Sequence, residues 1–103
     1  MLRGSPLLSA VLEVISRVES GNISPLAALA TEQTPEHWLN RSVTWTIEMG
    51  DLGAQITVWE DGSAELDLVN MAIPEAQSEH LELNSQMELE LAVNRARDWV
   101  IGT

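Results

Sequence analysis

Two carboxylates on alternate residues of a predicted strand come nearest to an acid–base pair in this sequence. Glu65 and Asp67 are separated by one residue, so a strand directs both side chains to the same face. General acid–base catalysis also requires a pocket and two pKa values that the surroundings push apart. A flat hairpin provides neither, so we interpret the two side chains as surface carboxylates.

The histidines give an equally weak metal signal. His37 and His80 lie far apart, and only His80 with Glu82 places two ligand types on one strand face. The chain has no cysteine, which excludes thiolate zinc sites and thiol nucleophiles. It also has no nucleophile elbow, phosphate-binding loop or dinucleotide-binding glycine motif. We expect no catalytic residue, no metal and no cofactor, and therefore a protein that is not an enzyme.

The net charge is the most distinctive global property. Sixteen acidic residues face five arginines and no lysine, which gives a formal net charge of −11. Such a surface repels nucleic-acid phosphates and anionic lipid, and it accelerates association with a basic protein. Solubility alone would also account for an acidic surface. We expect neither a nucleic acid nor a membrane as partner.

Length and hydropathy indicate one domain over residues 1–103, with 45% hydrophobic residues. No apolar run approaches the roughly 20 residues of a membrane-spanning helix. Near the N-terminus, Glu13 interrupts the apolar stretch and no small-residue cleavage pattern follows. This stretch predicts an amphipathic helix rather than a signal peptide, and we expect a cytoplasmic protein.

The first helix is predicted from Ser5, as N-cap before Pro6, to a stop at Gly21. Residues 22–41 are harder to interpret. The stretch SPLAALA predicts a short helix from Pro25, and TPEHWL predicts one further helical turn.

The second helix is predicted from the sequence Ser85-Gln86-Met87-Glu88, which forms a capping box. Its apolar stripe extends to Trp99 and Val100. Trp45 likewise matches an apolar strand position, so both tryptophans are predicted to be core residues.

Alternation of apolar and polar residues predicts three strands and indicates a fourth. The three stretches are SVTWTIEM (42–49), AQITVWE (54–60) and SAELDLVN (63–70). A fourth stretch, SEHLEL (78–83), has the same alternation with its leucines directed inward.

The connection between the second and third of these strands predicts their register. Residues 60–62 fit a three-residue loop with glycine in the left-handed position. This loop pairs Val58 with Ala64. It also places Ile56 opposite Leu66, so that apolar side chains share one face. A two-residue loop would mix the faces, and we reject it.

These elements predict the α+β class: a two-layer sandwich in which an antiparallel three- to four-stranded meander carries the N- and C-terminal helices on one face. The other face of the sheet, hereafter the open face, would contain no lysine or arginine. Its predicted members are Thr44, Thr46, Glu48, Gln55, Thr57, Trp59, Glu65, Asp67, His80 and Glu82.

Trp59 is the one large apolar residue in the open face. An indole among carboxylates and hydroxyls has the composition of an interface anchor. Alternatively, it packs over neighbouring threonines or under residues 22–41. The predicted partner-binding residues are Glu48, Thr57, Trp59, Glu60, Asp61, Glu65, Asp67, His80 and Glu82.

A family resemblance is carried by the same hairpin and the segment after it. The stretches GAQITVWEDGSAELDLVN and SEHLELNSQMELELAVNRARDWV resemble the TriTu-type immunity proteins of bacteria. Shared elements are a strand ending in T-V-W, an acidic turn with glycine, an acidic-apolar strand, and an H-x-E-L-x-S run before an acidic helix. The resemblance covers residues 53 to 101.

The resemblance implies an antidote to an ADP-ribosyltransferase toxin that type VI secretion delivers between bacteria. The toxin of that family modifies elongation factor Tu, and the antidote binds the toxin and blocks its NAD-binding site. An alternative is a small acidic adaptor or a subunit of another protein complex. A hydrolase that removes ADP-ribose is disfavoured, because the chain is short and lacks a metal or nucleotide motif.

Overall fold

A five-stranded antiparallel meander with a helix at each end forms the fold. The computed structural model describes residues 3–21, 23–35, 37–73 and 75–102. The elements are α1 (Ser5–Glu19), β1 (Ala28–Gln33), β2 (Ser42–Met49), β3 (Leu52–Trp59), β4 (Ser63–Asn70), β5 (Glu75–Glu82) and α2 (Gln86–Ile101). Each strand pairs with the next in sequence order. The predicted α+β class, with terminal helices on a meander, is confirmed.

Strand β1 corrects the prediction for residues 22–41 and makes the sheet five-stranded. Its six residues pair antiparallel with β2, where the sequence predicted a helix from Pro25. The composition ALATEQ favours a helix, and all six residues are exposed, so no alternation marks a strand. Pairing along β2 overrides this local preference. The helical turn predicted in TPEHWL includes residue 36, which lies outside the described residues; around it, His37 is in a turn, Trp38 and Leu39 are in bends, and the Trp38 amide donates to the Pro35 carbonyl at 3.1 Å.

Helix α1 begins one residue before the predicted start. Ser5 is its first residue, and Gly4 is the N-cap with φ 68° and no side-chain cap. The amide of Gly4 donates a hydrogen bond to the Glu60 carbonyl at 2.8 Å. The helix start is therefore held by the β3–β4 loop, a long-range contact that local sequence cannot indicate.

Helix α2 begins as predicted. Ser85 is the N-cap, and its hydroxyl accepts a hydrogen bond from the Glu88 amide at 3.1 Å. The Glu88 carboxylate in turn accepts from the Asn84 amide at 3.0 Å. The first bond satisfies an amide that the first helical turn leaves without a partner, and the second fixes the residue before the N-cap.

The core lies between the two helices and the face of the sheet that carries Val43, Trp45 and Ile47. Trp45 is completely buried, and its Nε1 donates to Glu19 Oε2 at 2.9 Å. Trp99 is half-buried against the same core and donates to a β4 carbonyl at 3.0 Å. Both tryptophans occupy the core positions predicted for them.

The helices pack over β2, β3 and β4, whereas the two edge strands extend beyond them. Strand β5 begins at Glu75, three residues before the predicted fourth strand, and only its Leu81 is half-buried. In the described part of the chain, both helices lie on one side of the sheet, so the open face runs across all five strands.

Candidate functional site

The strand registers bring the predicted polar residues together on the open face. Thr44 faces Thr57, and Thr57 faces Glu65. His80 of β5 continues the same row beside Glu65. The two threonine hydroxyls lie 3.0 Å apart and share a hydrogen bond. This row crosses four strands, so residues far apart in sequence form one continuous polar surface.

A second row of open-face residues lies two residues further along each strand. It runs from Thr46 through Gln55 to Asp67, and Ser78 follows on β5. The Ser78 hydroxyl donates a hydrogen bond to Asp67 Oδ1. Asp67 therefore lies on the open face as predicted, fixed in place by the edge strand.

His80 is held between two carboxylates. Its Nδ1 lies 3.2 Å from Glu65 Oε1, and its Nε2 lies 2.9 Å from Glu82 Oε1. The hydrogen bond to Glu82 raises the pKa of His80 above its ordinary value of 6.5, and the bond to Glu65 raises it further. The open face therefore carries a side chain that can become positively charged, although its strands contain no lysine or arginine.

Trp59 lies at one end of the open face. It faces Ser42 across β2, in the set that includes Thr44 and Thr46, as the predicted register requires. The side chain is half-buried and does not pack against the core, in contrast to Trp99. Its position is therefore consistent with an interface anchor and does not make it a core residue.

The basic residues are placed away from the open face. Strands β2 to β5 contain no lysine or arginine. On the helix side, Arg95 pairs with Glu79 at 2.6 Å, and Arg97 pairs with Asp98 at 2.7 Å. Within the described part of the chain, Glu48 has neither an ion pair nor a side-chain hydrogen bond. On the described strands β2 to β5, His80 is the side chain that can carry a positive charge.

No metal site or membrane span is found in the described ranges. Among residues 3–21, 23–35, 37–73 and 75–102, no three His, Cys, Asp or Glu side chains are grouped so as to hold a metal ion. In the same ranges no helix has both the length and the apolar character needed to cross a membrane.

Comparison with known proteins identifies the family. Residues 12–99 match the family model described as Immunity protein TriTu. The chain belongs to this family. Neither the curated proteins nor the solved structures contain a match. As a member of an immunity protein family, the chain is not an enzyme, and its partner is a cognate toxin.

In this TriTu family member, two of the predicted partner-binding carboxylates also form hydrogen bonds that hold loops. Glu60 Oε1 accepts a hydrogen bond from the Arg41 amide at 2.9 Å, and Glu60 Oε2 lies 3.6 Å from Arg41 Nε. Asp61 Oδ1 accepts from the amide and hydroxyl of Ser63 at 2.9 and 2.6 Å. The bonds from Ser63 lower the pKa of Asp61. Both residues therefore position the loops, and their predicted contact with the partner stays a prediction.

The family member also has candidate contact residues that sequence reasoning missed. Trp38, in the β1–β2 connection, is 54% exposed and lines a hollow with Ser42 and Thr44 at one end of the open face. At the other end, Gly53 and the 62% exposed Met71 line a second hollow. In the sequence, Trp38 belongs to no apolar repeat of a predicted helix or strand. That feature was the one signal that it lies outside the core.

We expect Gly62→Ala to reduce the free energy of unfolding by about 1–2 kcal/mol, because an L-residue is strained at its φ of 93°. Denaturant unfolding measures the loss. A Cβ at this position would also overlap the guanidinium of Arg3, a flexible group. Gly62→Asn, which tolerates positive φ, should lose less. Equal losses for alanine and asparagine would contradict backbone strain as the cause.

We expect the association rate with a basic toxin to rise as pH increases through the raised pKa of His80. Deprotonation removes the cation between Glu65 and Glu82, so the open face becomes more negative. The stabilisation that the folded state gains from protonated His80 has the opposite trend. It is fully present below the unfolded pKa, near 6.5, and is lost as pH rises through the higher folded value.

Stopped-flow association between about pH 6 and 8 measures this effect, around the ordinary His pKa of about 6.5. His80→Gln is the control, because glutamine keeps polar contacts without titrating. The pH dependence that remains in His80→Gln belongs to the toxin or to other groups. Identical profiles for the two proteins would contradict the assignment to His80.

Proposed function

We propose that this TriTu family member neutralises an ADP-ribosyltransferase toxin by binding it one-to-one through the open face and covering its NAD-binding site. The observation that carries the binding face is the set of outward side chains Glu48, Glu65, Asp67 and Trp59 on strands without a basic residue. Carboxylates around an aromatic anchor complement a basic protein surface.

The resemblance supports the class of toxin. The proposed partner is delivered between bacteria by type VI secretion and modifies elongation factor Tu. Because elongation factor Tu works in the cytoplasm, the proposed complex forms there as well.

The dimensions of the open face suit a protein partner. Strands of eight residues, such as β2 to β5, rise about 3.3 Å per residue, and five strands spaced about 4.8 Å apart make a face of about 26 by 20 Å. This area has the same order of magnitude as the roughly 800 Å² per partner of a standard interface. A small molecule would require a concave, enclosed pocket.

Titration against the toxin tests the mode of action. The product of the neighbouring gene is the toxin to purify, because an antidote is expected to lie beside its toxin. We expect residual transferase activity to fall linearly to an endpoint at one equivalent of this protein. Complete rescue at about one-hundredth of an equivalent would mean catalysis and would contradict occlusion. Capture of a stable complex whose partner has no transferase activity when it is purified alone would favour the adaptor alternative.

Salt is expected to slow association more than it accelerates dissociation. Glu48, Glu65 and Asp67 attract a basic partner before contact. Salt screens this attraction, because the Debye length shrinks severalfold between about 0.05 and 0.5 M salt. Surface plasmon resonance separates the two rates. Neutralising all three carboxylates with Gln or Asn should flatten the salt dependence. A flat association rate in the unmodified protein would count against the open face.

A further inference from the structure

A hollow of about 240 Å³ lies in the open face above Gly53. Gly53 is the second residue of β3 and faces Glu48 on β2 and Val69 on β4. The hollow exists because the residue between these two side chains has none of its own.

Nothing in the local structure requires glycine at position 53. Its φ lies outside the left-handed region, so the backbone accepts any L-residue. A Cβ built there would meet only Glu48 Cγ, at 3.6 Å, which is an ordinary contact. Glycine within a strand weakens the strand, and it often marks a position where another group approaches closely. Gly53 therefore keeps space open at a cost in stability.

The hollow combines an apolar floor with an acidic rim. Gly53, Val69 and Met71 contribute the apolar part. Glu48 on β2 and Asp67 on β4 line it from the two sides, in adjacent rows of the sheet, and Thr46 and Gln55 also contribute polar atoms. No basic side chain in the described part of the chain pairs with either carboxylate. Asp67 uses Oδ1 for the Ser78 hydroxyl, which leaves Oδ2 for a partner.

We propose that this hollow receives an arginine side chain of the bound toxin, an inference that rests on the proposed function. The aliphatic stem of arginine matches the apolar floor, and its guanidinium meets carboxylates on both sides. Several fixed N–H donors allow one guanidinium to bond Glu48 and Asp67 together, which a compact ammonium does less well. The arginine would anchor one end of the interface, and Trp59 the other.

Variants with a larger side chain at position 53 fill the hollow, and they test its role in toxin binding separately from its effect on folding stability. We expect Gly53→Val to raise the Kd for the purified toxin at least about tenfold, the size of a hot-spot contact, while its melting temperature stays the same or rises. Gly53→Ala leaves most of the hollow and should change the Kd less than about threefold. Ala76→Val is the matched control. It adds volume to the same face on β5, outside the hollow, and should bind as the unmodified protein does.

The occupant is identified by double-mutant cycles. Each arginine of the toxin is changed to alanine and to lysine, and the Kd of each variant is measured with the unmodified protein and with Gly53→Val. For the inserted arginine, the loss caused by alanine should disappear in the Gly53→Val background. Lysine should restore only part of the affinity. If no toxin arginine shows this coupling, the proposal is overturned.

The outcomes distinguish the two proposals. If Trp59→Ala or Glu65→Gln weakens binding while Gly53→Val binds with unchanged Kd, the hollow is not a binding pocket, although the open face is still the interface. If none of the open-face variants changes the Kd, the proposed interface and the proposed pocket are both wrong. A tenfold loss in Gly53→Val without a loss in Ala76→Val supports both.

Discussion

Replacing Trp45 with alanine is expected to lower the free energy of unfolding by about 3–5 kcal/mol, the usual cost of truncating a buried tryptophan. The side chain is completely buried in β2, where it lies beneath the helices. Its Nε1 also bonds Glu19 at the end of α1, so the substitution removes a link between helix and sheet. A small domain has only about 5–15 kcal/mol of stability in total.

Thermal and denaturant unfolding measure this loss. For a domain near this size, each kcal/mol corresponds to about 4–8 °C, so a fall of more than about 12 °C is expected. Glu19→Leu is the companion variant, because it removes the hydrogen-bond acceptor without creating a cavity in the core. Its effect should be a small part of the effect of Trp45→Ala. A melting temperature within about 4 °C of the unmodified protein, the shift for about 1 kcal/mol, would contradict the core role of Trp45.

Trp59→Ala is expected to have the opposite pattern: a melting temperature near that of the unmodified protein and a loss of toxin binding of about 2 kcal/mol or more. That loss is about 30-fold in Kd, since 1.4 kcal/mol is about tenfold. The physical reason is its position. Trp59 faces Ser42 on the open face, is half-buried, and does not pack against the core.

Isothermal titration with the toxin and thermal melts of the free protein decide between the two roles of Trp59. Trp59→Phe is the control, because it keeps an aromatic ring at the site and should retain part of the affinity. If Trp59→Ala unfolds readily while its folded fraction binds normally, Trp59 is a local packing residue. The open face would then lose its proposed anchor.

Local chemistry was sufficient to predict the central hairpin and α2. Alternation of apolar and polar residues places Ile56 opposite Leu66, and the loop length with Gly62 leaves one register that keeps the faces separate. Ser85 and Glu88 start α2 through bonds within a few residues. Such features are readable because the interacting groups are close in sequence or because a wrong register would bury polar side chains.

Other features were decided by partners far away in sequence. ALATEQ forms β1 only because β2 offers an edge for pairing, and its own composition favours a helix. Glu60 resembles a free surface carboxylate until Arg41 is placed beside it. The pKa of His80 is raised by the hydrogen bond to Glu82, two residues away, and further by the bond to Glu65, which only the β4–β5 register brings next to it.

The features of the candidate site also fall into those that the sequence predicts and those that depend on the tertiary structure. The sequence by itself determined which residues face away from the core, because strand periodicity assigns each side chain to one side of the sheet. It also determined that these strands carry no basic residue. Only the tertiary structure decided that Glu48 and Asp67 lie on either side of a recess above Gly53. The recess is the space left between side chains of three strands, so no local sequence pattern indicates it.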